Sequence, residues 1–260
     1  MKGSFRVMTL GAGLCLLFLM TGGPAAAQGI KKASVGVGVA AIPDYEGSED
    51  YEAIPVPILG IEWHSGRFVR LAGPGLRWNV LASNIWRFGP SLGYTWERDD
   101  VDNKKVDRMR KVDSAVEGGA FIGYENEDFY ITFDFLRDIS DEHDGYTMTL
   151  NGEWKLPVND QLRFFLGASA IYADDSYMET YFGVDADNAS RSGLKEYDAE
   201  AGVKNVGIHL SAMYTPWENW GLNFGVGYKR LLGDAKDSPL VDDEGSANQF
   251  FGMFGVAYSF

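Results

Sequence analysis

The sequence predicts an all-β fold: a transmembrane antiparallel β-barrel of about twelve strands, with ten as the alternative count. Three observations point there. Apolar and polar residues alternate with period two along about a dozen segments, as they do where the two faces of a strand meet different surroundings. The connections between the segments alternate between short and long. The chain is also rich in aromatics, at 14%, and in glycine, at 32 of 260 residues, where about 7% glycine is usual.

In chain order, the first element is a leader rather than a strand. MKGSFRVMTLGAGLCLLFLMTGGPAAAQ has a basic start (Lys2, Arg6), an apolar run from Leu10 to Met20, and Ala25-Ala26-Ala27 before Gln28. That is the layout of a signal peptide, and the apolar run is shorter than the ~20 residues of a spanning helix. Cleavage is expected after Ala27, leaving a barrel domain over 28–260. Cys15 follows Leu14 rather than the small residues of a lipid-anchor site, so it reads as part of the apolar run. With the leader removed, the chain has no Cys and hence no disulfide framework.

Strands are expected at 33–43, 53–63, 67–73, 75–82, 85–98, 114–125, 128–138, 145–156, 161–174, 203–215, 220–231 and 248–260. Most have the roughly 9–11 residues that a tilted membrane strand needs. The second is interrupted by Pro55 and Pro57, and each proline removes a ladder hydrogen bond. The third and fourth are the weakest. The fifth sets Trp86, Phe88, Pro90, Leu92, Tyr94 and Trp96 against Arg87, Gly89, Ser91, Gly93, Thr95 and Glu97. The eighth sorts Tyr146, Met148, Leu150, Gly152, Trp154 and Leu156 from Thr147, Thr149, Asn151, Glu153 and Lys155. The eleventh alternates Trp220, Leu222, Phe224, Val226 and Tyr228 with Gly221, Asn223, Gly225 and Gly227. The last carries Phe250, Gly252, Phe254, Val256, Tyr258 and Phe260 on one face, and it must pair with the first if the sheet closes.

Connections after the even segments are short: HSG, SN, NE, PVND and PWEN. Those after odd segments are mostly long and acidic, among them DYEGSEDYE, ISDEHDG, the 175–202 stretch and LGDAKDSPLVDDEGSA. Only the connection near Gly73–Pro74 breaks the trend. Short turns at one rim and long loops at the other describe an outer-membrane barrel with periplasmic termini. No linker or shift of composition divides 28–260.

A soluble lipocalin-like barrel would show the same alternation. The leader and the aromatics at strand ends (Trp63, Trp86, Trp96, Tyr146, Trp154, Trp220, Tyr228) favour the membrane, where such residues form girdles at the interfaces. The polar parity then lines a lumen, with Arg87, Glu97, Glu117, Glu153, Lys155, Arg163, His209 and Lys229 as candidates. A plugged or narrow interior is expected, because wide aqueous pores use 16–18 strands.

The net charge of −14 argues against nucleic acid, which needs a basic footprint. His209 and Ser211 share one strand face, as a histidine–serine pair for acyl transfer would. They fall on the lumen parity, however, where a lipid ester would not reach. His143, among the carboxylates of SDEHDG, reads as part of a solvated acidic loop rather than as a catalytic base. His64 lies in a short turn. The acidic loops DYEGSED and VDDEG suit hard cations in ligand type but lack the spacing of a calcium loop. No catalytic residue, metal ligand or cofactor site is expected.

Three stretches are specific: IPDYEGSEDYEAIPVP, ADDSYMETYFGVDADNASRSGLKEYDAEAGVKNVG and RLLGDAKDSPLVDDEGSANQF. With FGPSLGY and the closing VAYSF, in this order and spacing, they resemble the MipA/OmpV family over 33–260. The resemblance implies a non-enzymatic outer-membrane barrel of a Gram-negative envelope. The namesake branch is described as a scaffold between a murein-cleaving lytic transglycosylase and a murein-synthesising penicillin-binding protein. Another branch is described as an immunogenic surface protein. The family offers no catalytic residues to carry over. A small-solute channel or surface receptor is the alternative. The expected surroundings are outer-membrane lipid and, during biogenesis, the barrel assembly machinery. The row Phe254, Val256, Tyr258 and Phe260 resembles the signal that this machinery reads.

Overall fold

The computed structural model describes residues 29–260; the signal-peptide reading falls outside the described residues. Twelve antiparallel strands close on themselves. They are β1 (Ile30–Pro43), β2 (Tyr51–Trp63), β3 (Phe68–Ala72), β4 (Gly75–Asn79), β5 (Trp86–Thr95), β6 (Ala115–Glu125), β7 (Phe129–Asp138), β8 (Tyr146–Pro157), β9 (Leu162–Ala173), β10 (Gly202–Trp217), β11 (Trp220–Leu231) and β12 (Asn248–Ser259). Each pairs with its sequence neighbours, and β12 pairs with β1 from Ser259↔Ser34 to Gly252↔Ala41. Closure matters because hydrocarbon offers no partner to an edge N–H or C=O.

The outward face is apolar and exposed. Val35, Val37 and Val39 on β1, Leu150 on β8, Ile208 on β10 and Phe224 and Val226 on β11 all project from the wall. Aromatic pairs mark both rims. Trp86 meets Tyr124 edge-on at 5.4 Å, and Trp220 meets Tyr258 at 5.1 Å. At the opposite ends of the strands Tyr228 packs on Phe250 at 5.3 Å and Phe135 on Tyr146 at 5.4 Å. An apolar band between two aromatic girdles is the lipid-facing surface of a membrane barrel.

The weak segments resolve into real strands. β3 and β4 have only five residues each, yet both pair on both sides, so the count is twelve and not ten. Their shortness also explains the prolines of β2. β3 ends at Ala72, opposite Ile58, so β2 from Tyr51 to Pro57 keeps only β1 as a neighbour. Pro55 and Pro57 lie in this one-sided segment. A residue without an N–H leaves no donor unpaired on an open edge, and the 13-residue strand runs through both without a break.

Among the described residues, four short α-helices and one 3-10 turn (Val106–Arg108) occur, all in the long loops of one rim. The α-helices are α1 (Asp175–Phe182) and α2 (Ala186–Ser192) between β9 and β10, and α3 (Gly233–Asp237) and α4 (Pro239–Asp242) between β11 and β12. Capping aspartates start the first two: Asp174 accepts from the Tyr177 N–H and Asp185 from the Asn188 N–H. Ser238 does the same for Leu240.

Candidate functional site

The long loops build a cap with a core of its own. Met178, Phe182, Val184, Leu240, Val241 and Val106 are almost completely inaccessible. They belong to one cluster with Tyr45, Val101, Met109 and Val112. Four separate loops thus bury their apolar groups against one another over the outer mouth. Polar links fix their order. The Arg98 guanidinium donates to the Tyr181 carbonyl at 3.0 Å, Ser238 Oγ to the Phe182 carbonyl at 2.6 Å, and Tyr197 OH to the Asp234 carbonyl at 3.1 Å. Burial lowers Arg98 to about 10, so it stays charged at neutral pH. Gly47 sits at φ +101°, and a Cβ there would strike Val241 at 2.4 Å. Only glycine meets both demands, which accounts for the EGS of the first family stretch.

Beneath the cap, charged groups tie it to the wall. Lys204 of β10, 3% exposed, donates to both Glu46 carboxylate oxygens at 2.8 Å and to Tyr177 OH at 2.9 Å. Its ammonium also lies 4.3 Å from the Tyr177 ring centroid. Burial alone pushes Glu46 up, but Lys204 and Lys229 outweigh it and hold Glu46 below the usual 4.5. Burial, and then the Glu46 charge, push Tyr177 well above the ordinary tyrosine value, so it serves as a neutral donor to the carboxylate.

His143 is not solvated. It is 3% exposed and stacks edge-on against Tyr177 and Tyr181 at 5.0 and 5.6 Å. Its Nδ1 accepts from the Gly145 N–H at 3.1 Å. A neutral ring therefore carries its proton on Nε2, which faces Glu117 Oε1 at 3.4 Å. The acidic neighbours in SDEHDG pointed to solvent; the loop instead folds inward, because Asp138 accepts the N–H groups of Glu142, His143 and Asp144.

Lower in the lumen, the polar parity forms ion pairs. Arg87 and Lys155 share Glu125, at 3.1 and 2.6 Å. Arg77 forms a two-pronged pair with Asp134, at 3.0 and 2.9 Å. His209 Nε2 lies 3.3 Å from Glu153 Oε2, so its ring nitrogen bonds Glu153 rather than Ser211. Gly167 makes room for this ring, since a Cβ there would fall 2.1 Å from His209. Arg163 is exposed near the periplasmic end of β9. Lys229 lies on β11, close enough for its charge to act on Glu46.

Glu97 is placed otherwise than the alternation implies. β5 ends at Thr95, and Arg98 leaves the strand to bridge Val112. Glu97 therefore lies past the end of the strand, exposed in the loop. The Glu46–Lys204–Tyr177 link and the Arg77–Asp134 pair were not among the residues singled out from the sequence. The first joins groups 131 to 158 residues apart, so no local pattern encodes it. The inward parity of Arg77 was readable in principle, but on the weakest segment. Among the described residues, no group of three or more His, Cys, Asp or Glu is placed to hold a metal ion.

A family profile and a curated relative point to one family. The sequence profile described as MltA-interacting protein MipA matches residues 35–260. The MltA-interacting protein of Escherichia coli K12 is 26% identical over 234 residues, covering 88% of this chain and 91% of that protein. Among solved structures, the NanC porin aligns over 87% of this chain and 98% of its own, with 10% identity and a TM-score of 0.47. The KdgM porin covers 87% and 99%, with 11% identity and a TM-score of 0.45. With the family match spanning residues 35–260 of 260, the chain belongs to the MltA-interacting protein MipA family and is an outer-membrane β-barrel.

Proposed function

We propose that this barrel is a non-conducting, non-enzymatic interaction protein that engages a murein-cleaving lytic transglycosylase from the periplasmic side, together with a murein synthase. One observation carries the reading: the long loops at the outer mouth pack on one another around an apolar core of their own. A through-channel for solutes would leave that mouth open or line it with polar groups. The three family stretches fall largely on the cap, where Tyr45, Tyr177, Phe182 and Leu240 pack together. Their specificity is accounted for by closure, so they need not contact a partner. Partner contact falls to the periplasmic rim, at the turns Val158–Gln161 and Glu218–Asn219. The relative named MltA-interacting protein supplies the enzyme class.

Two measurements test this. Purified barrel in a planar bilayer should give no steady unitary currents; such currents would sink the non-conducting reading. Immobilised barrel should capture a purified lytic transglycosylase, and substitutions at Asp160 and Glu218 should weaken capture at least tenfold while shortening of the 183–198 loop does not. Capture that depends on the loop instead of the turns would overturn the periplasmic docking.

A further inference from the structure

Arg70 and Arg77 stand directly opposite each other in the β3–β4 register, both on the lumen parity. Side chains so placed have Cβ atoms about 4.5–5.5 Å apart, and like charges there destabilise a sheet. Arg77 is compensated by Asp134 and also lies 5.6 Å from the Phe121 ring centroid. Arg70 is not. It has no ion pair among the described residues; its guanidinium rests 4.8 Å over the Phe68 ring, and its side chain is exposed. The same wall carries Arg87 and Lys155, which must share Glu125 between them. Arg70 lies within electrostatic reach of that carboxylate too. Four cations thus meet Asp134 and Glu125 here, while the third carboxylate of this wall, Glu153, is engaged by His209, in a chain whose net charge is −14.

We propose that Arg70 and Arg77, backed by Arg87 and Lys155, form an anion-binding site in the lumen that takes the carboxylate or phosphate group of a small solute. An excess of positive charge in a concave, low-dielectric wall concentrates anions. Arginine's planar fork matches the two oxygens of either group. Contact with the Phe68 ring, 4.8 Å away, restrains the Arg70 guanidinium, so less freedom is lost on binding. The ligand enters from the periplasm, because β3 begins directly after a periplasmic turn, whereas the long loops pack together at the other mouth. Asp134 and Glu125 tune the site: they discharge part of the arc and leave Arg70 as the uncommitted group.

The test uses the purified full-length barrel in detergent, with citrate and inorganic phosphate as probes in isothermal titration at fixed ionic strength. Saturable binding is expected for at least one probe. Arg70→Gln should weaken it tenfold or more, since this exposed residue has no protein ion pair to lose on folding. Arg230→Gln, on the outward face, should leave it unchanged. Citrate binding alone would identify a carboxylate ligand, phosphate binding alone a phosphorylated one. No saturable binding of either probe, or equal binding by Arg70→Gln, overturns the proposal. The site is independent of the transglycosylase reading: titration can succeed where capture fails, and the reverse.

Discussion

The extracellular cap and the periplasmic third of the lumen are built on one sheet but are held together differently. In the cap, four loops bury an apolar cluster, with a few charges inside it, each given a specific partner. In the lower lumen, ion pairs are partly open to solvent on both sides, with Lys155 and Glu125 side chains 19% and 30% exposed and His209 and Glu153 23% and 26%. Apolar burial does not fade with salt, whereas solvated ion pairs are screened. The cap is thus the element whose closure rests on packing, and the lower lumen the one free to exchange protein partners for ligand charges. Four substitutions, taken from the largest expected effect to the smallest, sharpen this contrast.

Phe182→Ala should do most. Phe182 is 0% exposed at the centre of the cap cluster, and phenylalanine truncation in a packed core costs about 3–5 kcal/mol. Hydrogen exchange of the α1 and α2 amides should accelerate accordingly, while mid-strand amides of β8 keep their protection. Equal loss of protection in β8 would show that cap and barrel are one cooperative unit and would break the comparison.

Lys204→Met comes next. It leaves the Glu46 carboxylate without its main partner, a change worth about 3–5 kcal/mol for a fully buried pair. The effect here falls toward the low end because Glu46 keeps 27% of its side-chain exposure. Acid probes the same link without mutation. Glu46 is held below 4.5 in the folded protein. Its contribution is therefore complete above 4.5 and disappears as pH falls through the lower folded value. Cap exchange should rise below pH 4.5 in the wild type, and this rise should shrink in Lys204→Met. An unchanged acid response in the variant would assign it to another carboxylate.

Why the sequence disclosed one region better than the other follows from the same contrast. The wall obeys a local rule: side chains alternate, and hydrocarbon demands apolar residues on one parity. Tyr146 to Leu156 can be sorted without knowing their neighbours, and even the five-residue β3 and β4 fell close to their expected places. The cap obeys no local period. His143 is buried because Asp138 gathers three N–H groups around it, and Lys204 meets Glu46 across 158 residues of chain. Glu97 marks where the rule stops: the alternation runs on past Thr95, but the ladder ends there. Acidic composition made these loops look solvated, although their apolar residues (Tyr177, Met178, Phe182) were there to be seen at helical spacing.

In the lower lumen, Lys155→Met should cost only about 0–1 kcal/mol, because Glu125 retains Arg87 and its own solvent contact. Chemical unfolding in urea with refolding into micelles would measure it. A loss approaching that of Lys204→Met would mean that the lower lumen is as dry as the cap, contrary to its exposure.

Phe260→Asp should have the smallest effect on the folded barrel. The side chain is 76% exposed and packs edge-on against Tyr258 at 4.9 Å, a contact worth about 0.5–1.5 kcal/mol at most in a buried setting. Its backbone N–H still bonds the Ala33 carbonyl at 2.8 Å, and any residue can make that bond. The seam between β12 and β1 therefore survives the substitution. Assembly is a separate matter. We propose that Phe254, Val256, Tyr258 and Phe260 form the row recognised by the assembly machinery before the seam exists, when all four aromatic or branched groups stand on one face of an unpaired strand. The expected result is a variant that refolds in vitro with near wild-type stability but reaches the outer membrane in reduced amount. Normal membrane levels would remove the recognition role, and a poorly refolding variant would place Phe260 among the groups that hold the barrel closed.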